Sequence, residues 1–305
     1  RYPLDNCLHR KGVPDKIGLF YTTGCVCDMR APERLSMTLL FVCLLLIYSG
    51  FSLFVMQFWR SRSTQAYPLK QELMLLAPVL LLNGVWLWWP ILESQRLLLG
   101  FGHAMAMLSW ITLILYWCGS YFYRLQGLQL FLFPIAVISL LCDYFLPGAT
   151  AGVVVNNSAF ALHIMSSLLA YSLFALATLL AWLMLWLARD LRQHRLSPSV
   201  SFLPPLLSIE KLMFQSLTMG FVSLTIALLS GMLFSEYVFG HAFTWTHKII
   251  FGLASWIIYA VILVSRWKQG ARGKKIAMAV IVGFVLLMLA YVGSKFVLEI
   301  VLQGH

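Results

Sequence analysis

Long apolar runs recur along almost the whole chain, and they limit its fold more than any other feature. Only 11% of the 305 residues are charged and 61% are hydrophobic, whereas a soluble domain is about 25% charged. The runs reach or approach the ~18 residues needed to cross a bilayer. They lie, to within a few residues, at 38–59, 72–92, 101–122, 126–147, 160–188, 211–235, 247–266 and 276–299. The sequence therefore predicts an all-α, polytopic membrane bundle of about eight transmembrane helices.

Basic residues between the runs predict the orientation of the chain. They follow the odd-numbered runs, in clusters formed by Arg60, Arg62 and Lys70, by Arg124, by Arg189, Arg192 and Arg195, and by Arg266, Lys268, Arg272, Lys274 and Lys275. The positive-inside rule places these loops in the cytoplasm. Both chain ends would then lie on the outer, periplasmic side of a bacterial inner membrane. The net charge of +11 is explained by this pattern, so no nucleic-acid partner is expected.

The first 36 residues differ from the rest of the chain. They begin with Arg1 and carry six Lys or Arg residues, and Met37 then opens a clean apolar run. Six cations on the outer side would conflict with the predicted orientation. We interpret residues 1–36 as a non-native or disordered extension and residues 37–305 as the transmembrane domain.

Two segments of the predicted cytoplasmic face have recognisable local signals. Ser208 follows Pro204-Pro205, where a helix cannot continue, and is expected to cap span six, with Glu210 in its first turn. The turn at 267–275, WKQGARGKK, is expected to be a topology anchor beside anionic lipid.

The spans contain no Asp, Glu, Lys, Arg or His near their middle, which counts against an ion pump or coupled carrier. The sequence also lacks the G-x-S-x-G, H-E-x-x-H and Walker motifs of common enzyme classes. We therefore expect a protein that is not an enzyme.

Four histidines fall on the predicted outer face, namely His103, His163, His241 and His247. A single interfacial histidine is usually an amphipathic anchor. However, His163 and His247 each open a span that runs inward, so they would share one depth in the membrane. Two neutral imidazoles on facing helices could ligate a haem iron axially. His103 and His241 remain alternatives from the sequence alone.

Several segments resemble the cytochrome c assembly protein family, which includes CcsA, CcmC and HemX, and most of all its YpjD-like inner-membrane members. They are LHIMSSLLAYSLFALATL, PPLLSIEKLMFQ, LTMGFVSLTIALLSGMLF and HKIIFGLASWIIYAVIL followed by GARGKK. The likeness covers nearly half the chain well and the earlier spans in layout. His163 and His247 match by position the two external haem-binding histidines of the family. The tryptophan-rich WWD segment between those histidines is missing here, since WLWWP at 86–90 lies elsewhere and lacks the acid.

The resemblance implies a haem b-binding membrane protein that acts in cytochrome c biogenesis or haem handling. Its expected partners are the lipid bilayer, haem, and other cytochrome c assembly proteins or an apocytochrome. Two other classes stay open. One is a membrane transporter of a small solute or metal, which internal-repeat symmetry would favour. The other is a membrane scaffold or regulator without a ligand, in which the outer histidines could be replaced without effect.

Overall fold

The computed structural model describes residues 31–61, 67–94, 100–123, 125–146, 158–192, 206–239 and 247–290. Every regular element in these ranges is a helix, which confirms the all-α prediction. The helices are α1 (Ala31–Arg60), α2 (Leu69–Ser94), α3 (Phe101–Phe122), α4 (Gln129–Phe145), α5 (Ser158–Arg192), α6 (Leu206–Phe239), α7 (His247–Gln269) and α8 (Lys274–Met288).

Six of the described helices, α1 to α3 and α5 to α7, are long and apolar enough to cross a membrane. The other two are shorter, with 17 residues in α4 and 15 in α8. At 1.5 Å per residue α4 is about 26 Å long, slightly less than the ~30 Å hydrocarbon core. The fold is that of a multi-pass membrane protein. Eight crossings and two outer chain ends stay predictions.

Two predicted boundaries differ from the structure or fall partly outside it. The first helix begins at Ala31, before Met37, while residues 1–30 lie outside the described ranges, so the interpretation of residues 1–36 as an extension stays a prediction. The prediction that Ser208 caps span six is wrong. The sixth helix begins at Leu206, directly after a proline in sequence, and Ser208 is its third residue. Proline is tolerated at a helix start, where its missing N–H removes no hydrogen bond.

The helices pack as two rings of four. In the first ring α1 packs on α2, α2 on α3, α3 on α4 and α4 back on α1. The second ring repeats this order with α5, α6, α7 and α8, and α3 packs on α5 to join the two rings. Short connections between sequential helices favour such antiparallel neighbours.

The second ring is held at its centre by two stacked aromatic rings and two glycines. The rings of Phe174 and Tyr259 stack with their centroids 4.0 Å apart. A methyl group on Gly220 would lie 3.0 Å from the Phe174 ring, and one on Gly283 would lie 2.9 Å from the Tyr259 ring. Small residues let membrane helices approach closely, so all four helices of the ring meet at this point.

The first ring uses polar contacts between its helices. The Asn83 amide donates to the Tyr48 hydroxyl at 3.0 Å. The indole N–H groups of Trp110 and Trp117 donate to the backbone carbonyls of Leu80 and Leu73, at 2.8 and 2.9 Å. Hydrogen bonds of this kind satisfy buried polar groups that have no access to water.

Among the described residues, the acidic, basic and histidine side chains that make interhelical contacts gather at two opposite ends of the bundle. One end carries the starts of α2, α4, α6 and α8, and we call it the basic end because Arg266, Arg272, Lys274 and Lys275 lie there. The other end carries the starts of α3 and α5 and the histidines His103 and His163, and we call it the histidine end. The placement of the basic end on the cytoplasmic side stays a prediction.

Candidate functional site

His163, in the second turn of α5, is fixed by the neighbouring helix α6. Its Nδ1 atom lies 2.9 Å from the backbone carbonyl of Ala227 and 3.1 Å from the Ser230 hydroxyl. A carbonyl oxygen can only accept a hydrogen bond, so Nδ1 carries the proton. The Nε2 atom of this neutral tautomer therefore keeps its lone pair, which is the form that binds a metal.

Gly231 provides room for the His163 ring. A methyl group on this glycine would lie 3.0 Å from the imidazole Cε1 and 3.4 Å from Nδ1. A side chain here would press on the ring carbon that lies between the two nitrogens. The position of the imidazole therefore depends on a small residue on α6 as well as on its hydrogen bonds.

His247 is the first residue of α7, as the sequence predicts for a histidine that opens a span. Its side chain lies outside the part of the chain that the structure describes, and so does His241. The expected approach of His163 and His247 around one iron is therefore untested and stays a prediction.

His103, near the start of α3, is buried and has a similar arrangement. Its Nδ1 atom lies 3.2 Å from one carboxylate oxygen of Asp143 at the end of α4, and the Trp86 indole donates to the other oxygen at 2.9 Å. The His103 Nε2 atom is buried without a hydrogen-bond partner. Gly102 permits this contact, since a methyl group there would lie 2.7 Å from the Cys142 carbonyl carbon and 2.8 Å from Asp143 Cα.

The two described histidines thus share one feature, an Nδ1 atom held by an acceptor on a neighbouring helix, but the Nε2 atom of His103 is buried. Metal-ligating histidines usually have this second contact, which sets the tautomer and ring orientation. Among the described residues there is no group of three or more His, Cys, Asp or Glu side chains able to hold a metal ion.

A buried carboxyl group at the basic end was not anticipated from the sequence. Glu72, in the first turn of α2, accepts hydrogen bonds from Tyr67, from the Tyr116 hydroxyl at 2.8 Å and from the Gln129 amide at 3.3 Å. Burial raises the pKa of the Tyr67 phenol, and the neighbouring Glu72 raises it further. Tyr67 therefore remains a donor, and the cluster ties α2, α3 and α4 together.

A second carboxyl group, Glu210 near the start of α6, contacts the end of α7 and the basic turn that follows it. Its Oε1 atom lies 3.1 Å from Arg266 and 4.0 Å from Arg272. The Arg266 guanidinium also lies 4.5 Å from the centroid of the Phe214 ring. The turn was expected to be a topology anchor only. In the structure it also makes an ionic contact with α6, through Arg272. The signal available in the sequence was an acid early in α6 facing a cationic turn.

These elements define a multi-pass helical membrane protein with available imidazole nitrogens at one end and cationic turns at the other. The Cytochrome C assembly protein family model matches residues 72–302, which is more than half of the chain. The chain belongs to that family.

Two relatives show how far the similarity extends. The chain is 28% identical over 169 residues to "Inner membrane protein YpjD" of Escherichia coli strain K12, covering 55% of this chain and 63% of the relative. It is 34% identical over 85 residues to "Cytochrome c biogenesis protein CcsA" of Prochlorococcus marinus strain NATL1A, covering 28% of this chain and 27% of the relative. These matches confirm the predicted resemblance to the family. The chain spans less than two thirds of the length of either relative, so the matches do not extend to a shared activity.

Proposed function

We propose that this protein binds haem b at its histidine end and acts in cytochrome c biogenesis or haem handling in a bacterial inner membrane. The observation that carries the proposal is the His163 imidazole, whose Nδ1 proton is directed to the Ala227 carbonyl at 2.9 Å. That contact leaves Nε2 available as an axial ligand. Membership of the Cytochrome C assembly protein family, and the name of the CcsA relative, support the same function.

We assign His247 as the second axial ligand. It is the first residue of α7, and His163 lies near the start of α5, so the two histidines have corresponding positions on their helices. Haem would supply an iron with four ligands of its own, so two imidazoles complete the coordination. The residues fit such a group, since His163 offers a neutral nitrogen and the described chain offers no competing cluster of metal ligands. The protein would bind and position haem rather than catalyse a reaction, and would pass it to another assembly protein or an apocytochrome.

A visible spectrum of the full chain tests this proposal. The protein is expressed in haem-replete cells, purified in detergent, and compared with His163→Ala and His247→Ala. We expect a sharp low-spin Soret and α band in the parent, reduced roughly tenfold or more in each variant. The matched control is His194→Ala, which removes a histidine from the predicted cytoplasmic loop and should leave the spectrum unchanged.

The same experiment with His103→Ala identifies the second ligand. Loss of the low-spin bands in His103→Ala but not in His247→Ala would replace His247 with His103 in the proposal. A colourless parent protein, with haem supplied in excess, would contradict haem binding altogether.

A transporter remains the second candidate function because the two rings carry similar groups at corresponding places. Glu72 and Glu210 lie near the starts of α2 and α6, and His103 and His247 lie at or near the starts of α3 and α7. Transporters built from parallel repeats show such correspondence. However, sequential helices commonly form rings of four, and the described helices hold no Asp, Glu, Lys, Arg or His side chain midway between the two ends. A haem-free preparation with uptake of a solute into vesicles would favour this candidate.

A further inference from the structure

An apolar groove runs along the line where the two rings meet, and we call it the seam groove. It has a volume of about 650 Å³ and is lined by α4, α5 and α8. Its walls include Phe131, Trp182, Trp186, Met278 and Ile281. Phe131 packs edge-on against both tryptophans, with centroids 6.4 and 6.5 Å away. The groove is open to the side of the bundle, since 55% of Trp182 and 43% of Trp186 are exposed.

The apolar walls end at a cation on each of two helices. On α5 the groove residues Trp182, Trp186 and Arg189 follow one another at helical spacing, and the Arg189 side chain is exposed. On α8 the spacing of Met278 and Ile281 places Lys274, also exposed, on the same helix face one turn before Met278. Arg189 lies seven residues from Trp182 on α5, and Lys274 lies seven residues from Ile281 on α8. Each separation corresponds to about 10 Å along the helix.

The position of Arg189 along α5 gives the level of the groove in the membrane. Twenty-six residues separate it from His163, which corresponds to about 39 Å of helix. A bilayer with its headgroup regions is about 40–45 Å thick. If His163 lies at the headgroups of one leaflet, Arg189 lies at the headgroups of the other, and the apolar part of the groove lies among the acyl chains of that leaflet.

We propose that the seam groove binds one anionic glycerophospholipid, with an acyl chain against the two tryptophans and the phosphate between Arg189 and Lys274. The charge distribution selects this occupant. A second copy of the chain would bring its own cations to the same end, and a zwitterionic lipid would place the cation of its headgroup beside the two positive charges. Basic pockets between transmembrane helices are known to bind anionic headgroups in this way. The site lies at the end opposite to the proposed haem site, so neither proposal depends on the other.

Native mass spectrometry of delipidated protein in detergent tests the proposal. The full chain is titrated with phosphatidylglycerol and with phosphatidylcholine of the same acyl chains. We expect one phosphatidylglycerol per chain, bound roughly tenfold or more tightly than phosphatidylcholine. The Arg189→Gln/Lys274→Gln double variant should bind both lipids alike.

The matched control is Lys211→Gln/Lys268→Gln, which removes two exposed cations of the same end from α6 and α7, helices that do not line the groove. It should retain the preference. An equal loss in the control would mean a diffuse attraction to the whole basic end and would overturn the site. Equal binding of the two lipids by the parent, or a dimer that excludes lipid, would overturn it as well.

A second measurement does not require the charge variants to fold. In vesicles, phosphatidylglycerol with brominated chains should quench the tryptophan fluorescence of the parent more than brominated phosphatidylcholine does. Trp182→Phe/Trp186→Phe should remove that difference. Equal quenching by the two lipids in the parent would count against the proposal.

Discussion

At the scale of single residues, the direction of each imidazole lone pair at the histidine end depends on which ring nitrogen carries the proton. A neutral imidazole presents one lone pair, and its direction is set by whatever accepts the proton on the other nitrogen. For His163 the acceptor is the Ala227 carbonyl of α6, and for His103 it is the Asp143 carboxylate of α4. The direction of each available nitrogen is therefore set by the packing of two helices.

Gly102→Ala tests the close approach of α3 and α4 that the contact between His103 and Asp143 requires. The added methyl group would lie 2.7–2.8 Å from backbone atoms of Cys142 and Asp143, which cannot move aside as a flexible side chain can. The helices α3 and α4 must separate, at a cost of about 1–3 kcal/mol or more. We expect a lower midpoint of thermal unfolding in detergent.

Gly50→Ala is the control for that substitution. It makes the same change within a helix, but nothing lies within 4 Å of the added methyl group. Its unfolding midpoint should be unchanged or higher, because alanine favours the helix by up to about 1 kcal/mol over glycine. Equal midpoints for the two variants would refute the close approach of α3 and α4.

At the scale of elements, each ring is joined at the basic end by a carboxyl group near the start of a helix. Glu72 is surrounded by hydroxyl and amide donors, whereas Glu210 is paired with Arg266. A buried carboxylate is costly unless it is hydrogen-bonded or paired, and both are. The ends of these helices are thus fixed by polar contacts, and their middles by apolar packing together with hydrogen bonds such as that from Asn83 to Tyr48.

A double-mutant cycle measures the contact between α6 and α7. The variants are Glu210→Gln, Arg266→Gln and the two combined, with the free energy of unfolding as the measured quantity. Side chains in direct contact couple by about 0.5–3 kcal/mol, and we expect a value in this range because the Glu210 side chain is only 8% exposed.

The same cycle with Arg272 in place of Arg266 is the comparison. Arg272 lies 4.0 Å from Glu210 and its side chain is 59% exposed, so its coupling should be below about 1 kcal/mol. A coupling as large as that of Arg266 would show that the general charge of the turn, rather than one ion pair, connects it to α6.

The sequence predicts where the helices lie. It does not predict which side chains contact one another between helices. The run at 101–122 coincides with α3, Phe101–Phe122, because an unbroken apolar segment between polar loops has one structural solution in a membrane. Glu72 gave no particular signal in the sequence, and Glu210 was expected only as an acid in the first turn of span six. Their partners, Tyr116 and Arg266, lie 44 and 56 residues further along the chain, and no local periodicity encodes that contact.

At the scale of the whole molecule, the alternation of the two ends predicts where soluble reporters will function. Green fluorescent protein fused after Ser61 or Tyr123 should fluoresce, and alkaline phosphatase fused after Leu146 should be active. Both expectations follow from the positive-inside rule applied to the basic end. Activity of the same reporter after Tyr123 and Leu146 would mean that α4 does not cross the membrane, and inverted activities at all sites would reverse the orientation.

The helix α5 carries His163 near one end and Arg189 near the other, so its length fixes the distance between the two sites across the bilayer. Sites about 39 Å apart without shared partners normally contribute independently to stability, so losses from substitutions at the two ends should add within about 0.3–0.5 kcal/mol. A departure from additivity would mean that the two sites are coupled, as they would be if α5 moved along its axis as one rigid unit. The lipid composition of one leaflet would then set the position of an imidazole in the other.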